Sequence, residues 1–106
     1  MGFFDFFRQA DINVGVTQFQ QTAGAVLLDV RTAEEYASGH IPGSRNLDVQ
    51  NIGAAPSLIP NRETPLFVYC RSGARSGSAV SQLQAMGYTN AVNIGGITAY
   101  RGTLGR

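Results

Sequence analysis

Three short apolar runs, separated by segments of helical character, decide what this chain can fold into. They are "VLLDV" at Val26–Val30, "LFVY" at Leu66–Tyr69 and "AVNI" at Ala91–Ile94, all rich in β-branched, aromatic or other apolar residues and bounded by turn formers. Their apolar character is nearly continuous instead of alternating, as expected of strands covered on both faces. The runs therefore predict a mostly parallel sheet with helices on either side. Ser44–Leu47 and Ile12–Val14 are weaker strand candidates, and with them the sheet reaches five strands.

Helices have to connect such strands. In "TAEEYASG", Thr32 and Glu35 form a Thr-x-x-Glu capping box and Gly39 stands where the helix stops. In "SGSAVSQLQAMG", Ala79, Val80, Leu83 and Met86 line one face and Gly87 ends it. Asn51–Asn61 is a connection with room for a helical turn. Strand, helix, strand order predicts an α/β fold, a three-layer α/β/α sandwich with right-handed crossovers. A chain of 106 residues, 43% hydrophobic and 14% charged, suits a single domain over residues 1–106 with an ordinary core.

Charge and composition exclude several functions. The net charge is +1 and basic residues do not cluster beyond Arg71 and Arg75, so there is no electrostatic footprint for nucleic acid. All eight basic residues are arginines, which removes P-loop and Schiff-base lysine chemistry. One cysteine cannot form an intrachain disulfide, and a free thiol favours a reducing compartment, hence a cytoplasmic location. The opening "MGFFDFFRQA" lacks a basic leader region and is interrupted by Asp5 and Arg8, so it reads neither as a signal peptide nor as a membrane span. Residues 1–10 read as a Phe-rich arm. Phe3, Phe4, Phe6 and Phe7 have helical spacing, suited to packing on the domain or meeting a partner or membrane surface. Nothing in the sequence fixes an oligomeric state.

The one thiol, Cys70, ends a predicted central strand and opens the loop "CRSGARS". Ligands of open parallel sheets bind outside the carboxyl ends of the strands, so this is the favoured place for chemistry. Small residues at Ser72, Gly73, Ala74 and Ser76 free the backbone N–H groups to curl into an anion-binding nest, and the following helix points its positive end there. Arg71 and Arg75 add guanidinium forks for an oxyanion. That field also favours thiolate over thiol. A lone cysteine after an apolar strand also packs as a small hydrophobe; the arginines, the glycine and the helix start behind it are what point to a nucleophile.

His40 is the only histidine and lies far off in sequence, in "GHIPGS", where it reads as a turn residue held by hydrogen bonds. One Cys and one His supply too few good ligands for zinc.

Taken together, these residues resemble a single-domain rhodanese. Three segments carry the likeness in the family's order: Leu27–Asp48, Pro65–Ser76 and Ala91–Gly102. The first holds the aromatic, three residues, His, aliphatic, Pro, Gly signature as Tyr36, His40, Ile41, Pro42 and Gly43. The second holds the active loop Cys-Arg-x-Gly-x-Arg as Cys70, Arg71, Gly73 and Arg75. The resemblance implies a central parallel sheet flanked by helices, and a sulfurtransferase cycle through a Cys70 persulfide. A small sulfur donor such as thiosulfate binds through Arg71 and Arg75, the backbone from Arg71 to Ser76 cradles the persulfide, and cyanide, a thiol or a protein acceptor removes the sulfur. No metal and no organic cofactor enter that cycle. Related phosphatases and arsenate reductases have five residues between Cys and Arg; here four intervene, Arg71 to Ala74, which suits sulfur better than a phosphoryl group. A persulfide carrier that passes sulfur to a partner, or a regulatory binding module, is the competing reading from another functional class.

Asp29 and Arg31 stand at the end of the preceding strand, where they are expected to hold the local loops by charge-assisted hydrogen bonds. Glu35 is accounted for by the helix cap. Gly95 and Gly96 suit a tight turn beside the active loop. Two positions depart from the family pattern: Ser44 replaces the usual Ala, and Tyr100 stands where many relatives have Trp.

Overall fold

The structure is a computed structural model that describes residues 10–106. The Phe-rich arm lies, but for its last residue, outside the described residues. The elements run α1 (Ile12–Gln20), β1 (Val26–Asp29), α2 (Ala33–Ser38), β2 (Ser44–Asn46), a 3-10 turn (Val49–Ala54), α3 (Ala55–Leu58), β3 (Leu66–Cys70), α4 (Ala74–Ala85), β4 (Ala91–Gly96) and a 3-10 turn (Ile97–Ala99).

The sheet is wholly parallel, in the order β2-β1-β3-β4. Side chains alternate across β3. Leu66, Val68 and Cys70 join Leu28, Ala79, Leu83 and Tyr88 on one face, beneath α4, α3 and the first 3-10 turn. Phe67 and Tyr69 join Leu27, Ile41 and Ile94 on the other, beneath α1. Every residue of β3 is buried, which explains its continuous apolar run. The expected three-layer architecture is therefore present.

The strand count differs from expectation. The sheet has four strands, because Ile12–Val14 begins α1 and is not a strand. Asp11 caps that helix, its carboxylate accepting the Asn13 N–H at 2.9 Å. Ile12, Val16 and Phe19 then share one face at helical spacing; Ile12 and Val16 are buried and Phe19 meets Phe67 edge-on at 6.2 Å. A three-residue window, Ile-Asn-Val, is too short to reveal helical spacing. Gly15 lets α1 lie close on β4, since a Cβ there would collide with the Ile94 side chain.

Two other boundaries shift. The connection Asn51–Asn61 is mostly helical, as the end of the first 3-10 turn and α3. Helix α4 starts at Ala74, two residues before the expected Ser76, so Ala74, Arg75 and Ser76 occupy its first turn. Gly87, at φ +102°, follows its end.

The topology places a crevice. The chain leaves β1 for β2 on one side and returns on the other side of β1 as β3. Loops after β1 and β3 diverge at that point, where open α/β sheets bind ligands. Cys70 is the last residue of β3.

Candidate active site

Cys70 is buried, only 1% exposed, under the loop that follows it. Gly73 adopts a left-handed conformation, φ +103°, which any side chain would resist. That bend turns the Gly73 N–H onto Cys70 Sγ at 3.0 Å, and the Ser76 hydroxyl lies 3.3 Å from the same sulfur. Burial raises the thiol pKa, but donors from the Ser76 side chain and from the Ser76, Gly73 and Ser72 backbones outweigh it, and the net shift is downward. The positive end of α4 adds to the same field. The loop thus favours thiolate, the nucleophilic form.

The two loop arginines differ in their partners. Arg71 is exposed, and its backbone carbonyl accepts from the Thr98 N–H and hydroxyl, both at 3.2 Å. Arg75 donates two bonds to Glu35, at 2.7 and 3.0 Å. Glu35 at the same time closes the α2 capping box, accepting from the Thr32 N–H at 3.1 Å while its own N–H reaches the Thr32 hydroxyl at 3.2 Å. The Arg75 fork, helped by the Thr32 N–H and against some burial, holds the Glu35 carboxyl at about 2. Sequence reasoning gave Glu35 the cap alone; its second role needs the spatial meeting of α2 with α4.

Asp29 and Arg31 form a buried pair, with Arg31 Nη2 on Asp29 Oδ2 at 2.7 Å and Nε equidistant from both oxygens at 3.1 Å. Arg31 also donates to the Gly39 carbonyl at 2.7 Å, which fastens the end of β1 to the end of α2. His40 stacks on Tyr36, ring centroids 3.9 Å apart, with Nδ1 against the Tyr36 carbonyl at 2.9 Å, while its backbone bridges to Gly105. The Tyr69 hydroxyl accepts from the Ile41 N–H at 3.1 Å and donates to the Ser44 hydroxyl at 3.2 Å, tying the central strand to the same turn. The His-Ile-Pro-Gly segment therefore braces the site's edge.

Gly95 and Gly96 flank the loop. Gly95 sits at φ +110°, and a Cβ on Gly96 would run into the Arg71 carbonyl oxygen and the Ser72 Cα. A groove of about 430 Å³ opens here between Ser72 and Gly73 on one side and Thr98 and Ala99 on the other. Asn93 also lines it and bonds to the loop. Sequence reading passed over Asn93, although a carboxamide inside an apolar strand is itself a signal.

Comparison with known proteins agrees with this geometry. The model of the rhodanese-like domain matches residues 16–103. The thiosulfate sulfurtransferase GlpE of Stutzerimonas stutzeri is 36% identical over 86 residues, covering 78% of this chain and 76% of its own. The adenylyltransferase and sulfurtransferase uba4 of Ogataea parapolymorpha is 36% identical over 93 residues, 87% of this chain, but this chain spans only 24% of that longer protein. Among solved structures, the human single-domain sulfurtransferase TSTD1 superposes with a TM-score of 0.67 at 32% identity, over 81% of this chain and 86% of its own.

Proposed function

This chain belongs to the rhodanese-like domain family, and on that footing we propose that it is a sulfurtransferase that carries sulfur as a persulfide on Cys70. The observation that carries the reading is the convergence of the Gly73 N–H and the Ser76 hydroxyl on Cys70 Sγ. A sulfur atom held in that cradle is stabilised as an anion without metal or organic cofactor.

Thiosulfate is the proposed donor. The Cys70 thiolate attacks its outer sulfur; a Sγ–S bond forms, the S–S bond of thiosulfate breaks, and the electron pair leaves with sulfite. Arg71, and the face of Arg75 turned away from Glu35, stabilise the sulfonate end as it departs. Cyanide or a thiolate then attacks the outer sulfur of the persulfide, takes it, and returns Cys70 as thiolate. Ser72, Gly73, Ala74 and Ser76 contribute chiefly through the backbone that surrounds the sulfur. Asp29 and Arg31 hold the neighbouring loop in place and take no part in the transfer.

The chain's one free thiol, Cys70, suits a reducing compartment, in keeping with a cytoplasmic role. Among the described residues, no helix is long and apolar enough to cross a membrane. The activity is tested by supplying thiosulfate and cyanide and measuring thiocyanate. Turnover that vanishes with Cys70→Ala supports the reading; turnover that survives the substitution sinks it.

A further inference from the structure

Asn93 is the one carboxamide in the short strand β4, and its described hydrogen bonds all serve the loop or the turn beneath it. Its Nδ2 donates to the Gly73 carbonyl at 3.0 Å, and its Oδ1 accepts from the Ser76 hydroxyl at 2.7 Å and the Gly95 N–H at 3.0 Å. These partners fix the amide's orientation, because a carbonyl requires Nδ2 and an N–H requires Oδ1. Gly73 and Ser76 are also the two residues whose N–H and hydroxyl reach Cys70 Sγ, at 3.0 and 3.3 Å. Asn93 is therefore one residue removed from the sulfur along two separate paths.

The Ser76 path involves a choice. A serine hydroxyl has a single proton, and three acceptors surround this one: Asn93 Oδ1 at 2.7 Å, the Gly73 carbonyl at 3.1 Å and Cys70 Sγ at 3.3 Å. The shortest contact is to Asn93, so the proton rests there until Sγ becomes the stronger acceptor. Charge on Sγ changes during sulfur transfer: it is a thiolate before loading, and after loading the charge sits on the outer sulfur.

We propose that Asn93 is a positioning residue for sulfur transfer: it clamps the carbonyl of Gly73, the residue whose N–H serves Sγ, and it holds an alternative acceptor for the Ser76 proton as charge leaves and returns to Sγ. The inference rests on Cys70 being the sulfur carrier. Arg71 and Arg75 on the loop, Glu35 on α2, Asp48 before the first 3-10 turn and the Asp29–Arg31 pair at the end of β1 are the charges around the site. None of these side chains bonds to the Asn93 amide, whose partners are Gly73, Ser76 and Gly95.

The test is a double-mutant cycle read from the titration of Cys70, followed by thiolate ultraviolet absorbance in wild type, Ser76→Ala, Asn93→Leu and the double variant. With Asn93 present, Ser76 divides its proton, so Ser76→Ala raises the Cys70 pKa modestly. With Leu at the position, the shortest competing acceptor is gone and Ser76 divides its proton only between the Gly73 carbonyl and the sulfur, so the same substitution raises it by roughly half a unit more, about a threefold further loss of thiolate. Equal shifts in the two backgrounds overturn the proposal. Should the Leu variants fail to fold, Asn93→Asp puts a like charge beside Ser76 and raises the Cys70 pKa by roughly one unit; an unchanged titration there overturns it equally. No sulfur donor enters this experiment, so a Cys70 that never loads sulfur defeats the functional reading separately.

Discussion

Arg75 grips Glu35 with two nitrogens, at 2.7 and 3.0 Å, and so couples the cap of α2 to the first turn of the helix behind Cys70. Because the carboxyl lies at about 2 against an ordinary 4.5, the pair's contribution to stability is complete above pH 4.5 and is lost as pH falls toward 2. Both side chains are about one third exposed, 36% for Arg75 and 30% for Glu35, and solvent screening leaves the pair worth on the order of 1 kcal/mol. Glu35→Gln keeps an acceptor for the Thr32 N–H but removes the charge and one of the two acceptors that Arg75 uses. Denaturant melts of that variant should show a loss of about 1 kcal/mol at neutral pH. The loss should shrink steadily below pH 4.5; a deficit of constant size across that range would refute the assignment.

The two arginines separate in their kinetics. Arg71 is exposed and is the freer charge, so Arg71→Ala should leave stability within about 0.5 kcal/mol of wild type. It should raise KM for thiosulfate about tenfold, the loss of one charge-assisted hydrogen bond. Arg75→Ala should lower stability and activity together, since its guanidinium also holds Glu35. Identical behaviour of the two variants would mean that Arg71 does not meet the donor.

Gly96 sets how closely β4 approaches the loop. A Cβ there meets the Arg71 carbonyl oxygen and the Ser72 Cα, backbone atoms that cannot turn aside. Gly96→Ala should cost roughly 1 to 3 kcal/mol and slow the alkylation of Cys70 by iodoacetamide as the loop is pushed off the sulfur. Gly77→Ala is the control: it lies within α4, and its Cβ would meet only the Asn93 amide at an ordinary 3.5 Å. That substitution should be neutral or stabilising by about 0.5 to 1 kcal/mol. Unaltered alkylation in Gly96→Ala would show that the loop is held by other contacts.

Much of this arrangement is legible in one dimension because its determinants are local. The Thr32–Glu35 box, the buried run Leu66–Tyr69 and the Gly73 bend each lie within a few residues, and each forms as the pattern predicts. The Arg31–Asp29 pair, two residues apart, is equally local. What escaped reading depends on distance along the chain. Glu35 and Arg75 lie 40 residues apart, and Asn93 lies 17 from Ser76, so their pairing exists only once the sheet has formed. Ile12–Val14 misled for another reason. Two apolar residues on either side of Asn13 fit a strand as well as a helix, and the Asp11 cap, with Val16 and Phe19 further on, settles the matter.

The proposed persulfide on Cys70 is tested most directly by the intact mass of the protein before thiosulfate, after it, and after cyanide. Sulfur carriage on Cys70 predicts a gain of one sulfur atom that cyanide then strips, with no gain in Cys70→Ala. A mass unmoved by thiosulfate and by organic persulfides alike, or a gain that persists in Cys70→Ala, would contradict it.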